Sequence, residues 1–178
     1  CMEIDTGRHE ALTDGTSSVI EPRWSQDGAL YYLDDRAGWW QLYRQAGRSG
    51  RRICDYPADI GRPPWQLAQA HHADAPDGGT IAVRVDSARC SLVDIRPSGR
   101  VRDIPVEEVD ITQLQVGGDS VWYLGSREDR PPAICRVDPR LGKTEQVVHE
   151  GPGPDPDSVS RPEKVIARGP QGDIHGYL

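Results

Sequence analysis

The chain contains no phenylalanine and no asparagine, a single methionine and four cysteines. No run approaches eighteen apolar residues and no cationic, apolar, small-residue series opens the chain, so neither a membrane-spanning helix nor a secretory leader is read from it. Positive charge is short as well: 21 Lys and Arg stand against 28 Asp and Glu, for a formal charge of −7 and a pI near 5.2. Phosphate backbones are held by clustered cations, so a nucleic-acid partner is not expected. The cysteines, at positions 1, 54, 90 and 135, lack the two-residue spacing of a zinc or redox pair, and no metal or other cofactor is expected. Cys54, Cys90 and Cys135 alternate with apolar neighbours in "RRICDY", "RCSLVDI" and "AICRV" and read as small buried hydrophobes, with disulfides left open. The first residues, "CMEIDTGRHE", look like the middle of a strand, so a start further upstream is expected, and the compartment is read as cytoplasmic.

What is present points to short elements. With 178 residues the chain has the length of one ordinary domain, and 19 Gly with 15 Pro interrupt it throughout. Three of five Trp and three of six Tyr fall within "EPRWSQDGALYYLDDRAGWWQLYRQ", residues 21–45, around one Asp-Gly turn. That concentration is either the core of a structural unit or an aromatic binding surface.

Internal repetition decides between them. Four segments read as strand, turn, strand: "CMEIDTGRHEALTDG", "WWQLYRQAGRSGRRICDYP", "CSLVDIRPSGRVRDIPV" and "AICRVDPRLGKTEQVVHEG", with turns built on Gly7, Gly50, Gly99 and Gly142. Ahead of the last three lies a second hairpin turning on Asp27-Gly28, Asp77-Gly78 or Gly117-Gly118, preceded by a further strand in "VIEPRW", "QLAQAHH" and "DITQLQV". Four short antiparallel strands recurring every forty to fifty residues or so are the signature of a propeller blade. The expected fold is therefore all-β, a partial β-propeller of four-stranded antiparallel blades, with the end of a blade at 1–15 and fuller blades at 18–56, 64–106 and 109–150. A lone blade has two apolar faces, and stacking buries both at roughly 25 cal/mol per Å². Trp24, Tyr31, Leu33, Trp40, Leu42 and Tyr43 are expected to supply that packing. Propellers close with about four to eight blades, so an arc of this size should dimerise or belong to a longer protein, and its unpaired faces should associate. Residues 151–163, rich in Pro and Gly, read as a linker; 164–178 read as two strands around a Pro170–Gly172 turn that break the blade pattern.

"PRWSQDGALYYLDDRAGWWQLYR" resembles the blade motif of the prolyl oligopeptidase family of serine peptidases, in the acylaminoacyl-peptidase and dipeptidyl-peptidase-like branch. Trp24-Ser25-x-Asp27-Gly28 is shared with TolB-like propellers; Asp35-Arg36, Trp40 to Tyr43, and Ser160-Arg161-Pro162-Glu163 ahead of His175-Gly176 sharpen the likeness. The resemblance implies that 164–178 begin an α/β-hydrolase domain, that the parent protein cleaves short peptides by acyl transfer, and that the propeller caps the cavity as a steric gate packed on that domain. It supplies no catalytic residue here. Gly-x-Ser-x-Gly is absent, and the nearest strings, "GTSSV" and "GGDSVW", lack the second Gly and fall in blade turns. The alternative is a non-catalytic TolB-like propeller serving as an interaction platform, which would carry further blades after residue 150. A metal-dependent lactonase-like propeller would want Asn ligands on its inner strands, and the chain has none.

The other candidate residues have plainer readings. His71, His72 and Asp74 could group around a metal, but adjacent side chains on a strand point to opposite faces. Asp34-Asp35-Arg36 reads as a solvated turn in preference to a charge relay. His149 and Glu150 end a strand without a visible partner, and His175 reads as structural, near the domain junction.

Overall fold

The computed structural model describes residues 1–47, 49–149, 151–160 and 162–178; Glu150 and Arg161, singled out above, lie outside the described residues. Among the described residues the regular structure is fifteen strands and one short 3-10 turn, Pro156–Ser158. Among the described residues no helix is long and apolar enough to cross a membrane.

Strands β1 (Val19–Trp24), β2 (Leu30–Asp34), β3 (Gln41–Ala46) and β4 (Ser49–Arg52) form a first antiparallel sheet in sequence order. The second holds β5 (Asp59–Ile60), β6 (His72–Asp74), β7 (Thr80–Asp86), β8 (Arg89–Ile95) and β9 (Val101–Ile104). The third is β10 (Asp110–Gly117), β11 (Ser120–Arg127), β12 (Arg130–Asp138) and β13 (Lys143–His149), again in order. A separate hairpin, β14 (Lys164–Gly169) with β15 (Gly172–Tyr177), closes the description. This is an unclosed arc of a β-propeller built from four-stranded antiparallel blades.

The second sheet shows why blades stack. Successive side chains on a strand alternate faces. Ile81, Val83, Cys90 and Leu92 turn one way and pack with Ile111, Leu114, Val121, Tyr123 and Cys135 of the third sheet. Ala82, Val93 and Ile95 turn the other way and pack with Leu33 and Leu42 of the first. Each seam is thus shared by two blades. The register Leu33↔Leu42 and Tyr32↔Tyr43 splits the first sheet in the same manner. The leucines enter the seam, while the two tyrosine rings stack at 5.9 Å on the opposite face, towards the N-terminal segment, where the Leu12 carbonyl accepts from Gln45.

Three expectations are corrected. Trp24 is not a packing residue but 64% exposed, because it is the last residue of β1, paired to Leu30 at the lip of the sheet. Gly50 is not the turn glycine: it lies in β4 opposite Gln45, the left-handed residue is Gly47 (φ 62°), and a Cβ on Gly50 would strike the Tyr32 hydroxyl. The first strand of the middle sheet is not "QLAQAHH". β5 and β6 both pair with β7, Ile60 opposite Arg84 and His72 opposite Ala82, with Gly61 and His71 both bonded to Val83 between them. They are collinear halves of one strand, interrupted by an excursion over residues 62–70. At the N-terminus the hairpin on Gly7 narrows to one bridge, Met2 to His9. Cys54, Cys90 and Cys135 are buried free thiols, and Cys1 is exposed.

Candidate functional site

The first strand of each of the three larger sheets carries the same defect. In β1, Glu21 and Pro22 face Tyr32 alone, between the pairs Ile20↔Leu33 and Arg23↔Tyr31. In β10, Gln113 and Leu114 face Tyr123 between Thr112↔Leu124 and Gln115↔Trp122. In the middle sheet Gly61 and His71 face Val83. A bulge puts its first residue in an unusual backbone conformation, and Glu21, Gln113 and Gly61 all show positive φ, at 50°, 55° and 80°. Bulges re-aim side chains, and these lie on the first strands, through which adjacent sheets are bonded, His71 to Glu21 and Leu114 to Ala70.

The bulge of β1 turns the Glu21 carboxylate into the seam with the second sheet. The His71 N–H donates to it at 2.8 Å, and the His71 imidazole binds it through Nδ1. His72 reaches the same residue from its other side, Nε2 donating to the Glu21 carbonyl at 2.8 Å, which requires a proton on Nε2. Burial opposes the charge of Glu21, but the side-chain and backbone bonds from His71 outweigh it and hold the carboxyl below its ordinary range. Burial lowers the basicity of His72. Asp74 stands apart: it accepts from the Gln26 N–H at 3.0 Å, and burial raises its pKa. His71, His72 and Asp74, weighed above as a metal group and disfavoured, do not converge, and no group of three or more His, Cys, Asp or Glu placed to hold a metal occurs among the described residues.

Asp34 corrects the reading of its turn. It is fully buried, accepts from the Arg36 N–H and Nε at 2.9 Å each, and Arg36 in turn lies over the Tyr43 ring at 5.1 Å. The pair ties the β2–β3 turn down. Asp35, alongside, accepts the Ser18 N–H at 2.9 Å. In the Ser25 turn, Asp27 takes the Ser25 hydroxyl and the Ala29 N–H (3.1 Å), which is what the Trp-Ser-x-Asp-Gly string encodes. Tyr123 donates to buried Glu108 at 2.8 Å across the third sheet's edge, and burial pushes the neighbouring Cys135 thiol up to about 11, with Glu108 adding to the effect. Such a thiol is no nucleophile at neutral pH.

Ser17 and Ser18 precede β1, and Ser120 opens β11; none stands on a strand-to-helix turn, the setting a nucleophile elbow needs. His175 lies on β15, bordering a cleft with Trp39, Asp59 and Lys164. The β14–β15 hairpin meets the second sheet at the β7–β8 turn: Tyr177 donates to the Ser87 carbonyl and Lys164 Nζ donates to the Ser87 hydroxyl at 3.1 Å. Ser87 and Ala88 are both left-handed, φ 50° and 58°, without a glycine to ease it.

The geometry defines a class first: a propeller arc whose inner edges are bulged and whose polar groups are spent on holding seams and turns. No family model matches the chain, and no curated protein matches it. Solved structures do. A puromycin-hydrolyzing peptidase of Mycobacterium tuberculosis is 27% identical over 99% of this chain and 28% of its own, with a TM-score of 0.85. A puromycin hydrolase is 22% identical over 90% of this chain and 25% of its own (TM-score 0.79), and Porphyromonas gingivalis dipeptidyl peptidase 4 is 11% identical over 92% and 24% (TM-score 0.63). These neighbours are peptidases of the prolyl oligopeptidase family, and the likeness read from the blade motif is borne out. The chain spans about a quarter of the length of the structures it matches.

Proposed function

We propose that this chain is the propeller portion of a serine peptidase that hydrolyses short peptides, acting as a steric gate and as a packing surface for an α/β-hydrolase domain, and holding no catalytic residue itself. The match over 99% of the chain to the Mycobacterium tuberculosis peptidase carries the reading. The hairpin clasped on Ser87 supports it, since it leaves the blade pattern and docks on one end of the middle sheet, where a following domain would begin. A gate needs only a rigid rim, which the seam packing and the Glu21, Asp34 and Glu108 bonds provide. The three buried thiols, all free, suit the reducing cytoplasm.

The test is fluorophosphonate labelling of the complete gene product beside this chain alone. A covalent adduct on a serine of the former and none on the latter is expected. An unlabelled complete product, or one that turns over no peptide, would replace the gate with an interaction platform.

A further inference from the structure

At residues 62–70 the middle blade departs from its two neighbours. All three first strands bulge at the same point, yet β1 and β10 step directly from Glu21 to Pro22 and from Gln113 to Leu114, whereas the middle strand leaves at Gly61 and returns at His71. The base of the excursion is fixed on every side. Gly61 is closed in by Leu33 and His71; Arg62 pairs with Asp110 of the third sheet at 2.6 Å; the Ala70 carbonyl accepts from the Leu114 N–H at 2.8 Å; His71 is bonded to Glu21 of the first sheet. The tip is not: Trp65 is 78% and Leu67 is 97% exposed. In a chain with 28% charged residues, the stretch from Pro63 to Ala70 has no charge.

We propose that Trp65 and Leu67 form an apolar lip on the propeller channel that selects peptide substrates carrying a large apolar or aromatic side chain. The inference rests on the peptidase reading above. Three observations fix the occupant. The excursion leaves opposite Val83, midway along β7 and about 13 Å from the Ser87 turn at 3.3 Å per residue, so its root is set well back from the surface where the hairpin docks. It springs from the free edge of the middle sheet's first strand, where the first strands of all three sheets are linked by the His71–Glu21 and Leu114–Ala70 bonds, and strands that meet in this way line the axis of a propeller and not its rim. Its lack of charge leaves it nothing with which to read a terminal ammonium or carboxylate, while an indole face with two prolines and a leucine beside it offers contact area to a ring or a branched alkyl group. Pinning both ends in advance reduces the ordering cost of that contact.

The complete gene product and its Trp65→Ala, Leu67→Ser and Trp65→Tyr variants would be assayed on phenylalanyl-, leucyl- and alanyl-methylcoumarylamide, with Leu141→Ala as a control for losing an exposed apolar side chain elsewhere. The ratio of kcat/KM for the phenylalanyl over the alanyl substrate should fall about tenfold in Trp65→Ala, less in Leu67→Ser, recover in Trp65→Tyr and hold in Leu141→Ala. An unchanged ratio, or an equal loss on all three substrates, as a domain-packing role would give, overturns the lip while the peptidase reading stands. A gene product that neither turns over these amides nor takes the fluorophosphonate removes the peptidase reading, and the lip with it.

Discussion

Gly61 does with no side chain what Glu21 and Gln113 do with one. All three hold a left-handed backbone at the head of a bulge, but only at Gly61 is the space taken: a Cβ would lie 2.6 Å from Leu33 Cδ1 and 3.2 Å from His71 Cβ. Gly61→Ala should therefore cost on the order of 1–3 kcal/mol, read as a lower midpoint in urea at unchanged slope. His72 sets a pH dependence. Its ordinary value is 6.5, and the fold, by burying it neutral, lowers it. The unfolded chain therefore takes up its proton first, and stability falls as pH drops below 6.5. Glu21, held below its ordinary 4.5, adds a further loss as its own protonation breaks the bonds to His71. Thermal melts at pH 7.5, 5 and 3 should separate the two, the first step reporting His72 and the second Glu21, and His72→Gln, which keeps a donor at that place without the titration, should flatten the upper part of the profile. The sequence could not show either bond. Asp34 misled for the same reason: an Asp-Asp-Arg string has the composition of a wet turn, and only the fold reveals that Arg36 folds back to enclose the first carboxylate.

Hairpins were the legible elements. Asp27-Gly28 and Asp77-Gly78 mark tight turns by their chemistry, and the apolar runs in "TIAVRVD" and "RCSLVDI" are those of strands buried on both faces. The first strand of the middle sheet was not legible, because its hydrogen-bonding halves, two and three residues long, are separated by a stretch with no regular structure. Local patterning cannot join them; only their common partner β7 does. Gly50 was mistaken for the turn residue since it follows Gly47 closely and either suits a loop. If β5 and β6 are one strand, excising 62–70 to join Gly61 to His71 should restore the bulge of the sister strands. The shortened protein should remain folded with Tm lower by several degrees, the Arg62–Asp110 pair being partly exposed and worth about 1 kcal/mol or less and the loss of the Ala70 carbonyl that takes the Leu114 N–H costing roughly 1–3 kcal/mol. Aggregation or a collapsed Tm would show that the excursion is integral.

At the scale of the whole arc, the third sheet leaves its far face uncovered. Leu124, Ile134 and Val148 lie opposite one another across β11, β12 and β13 as an exposed apolar row. Such a row is what a further blade would bury, and this chain alone should use it to associate. Sedimentation of the isolated chain should show concentration-dependent dimers that Ile134→Lys abolishes; a monomer at high concentration would contradict this. The overall architecture was readable because the repeat is encoded many times over, in turns, alternation and spacing together.

A strand that leaves its sheet and rejoins it in line, with each stump anchored to a different neighbour, makes a natural socket. Foreign peptides of varied length could be spliced between Gly61 and His71 and displayed from the first strand of the middle sheet, their termini already spaced for insertion, with no renegotiation of the blades that carry them.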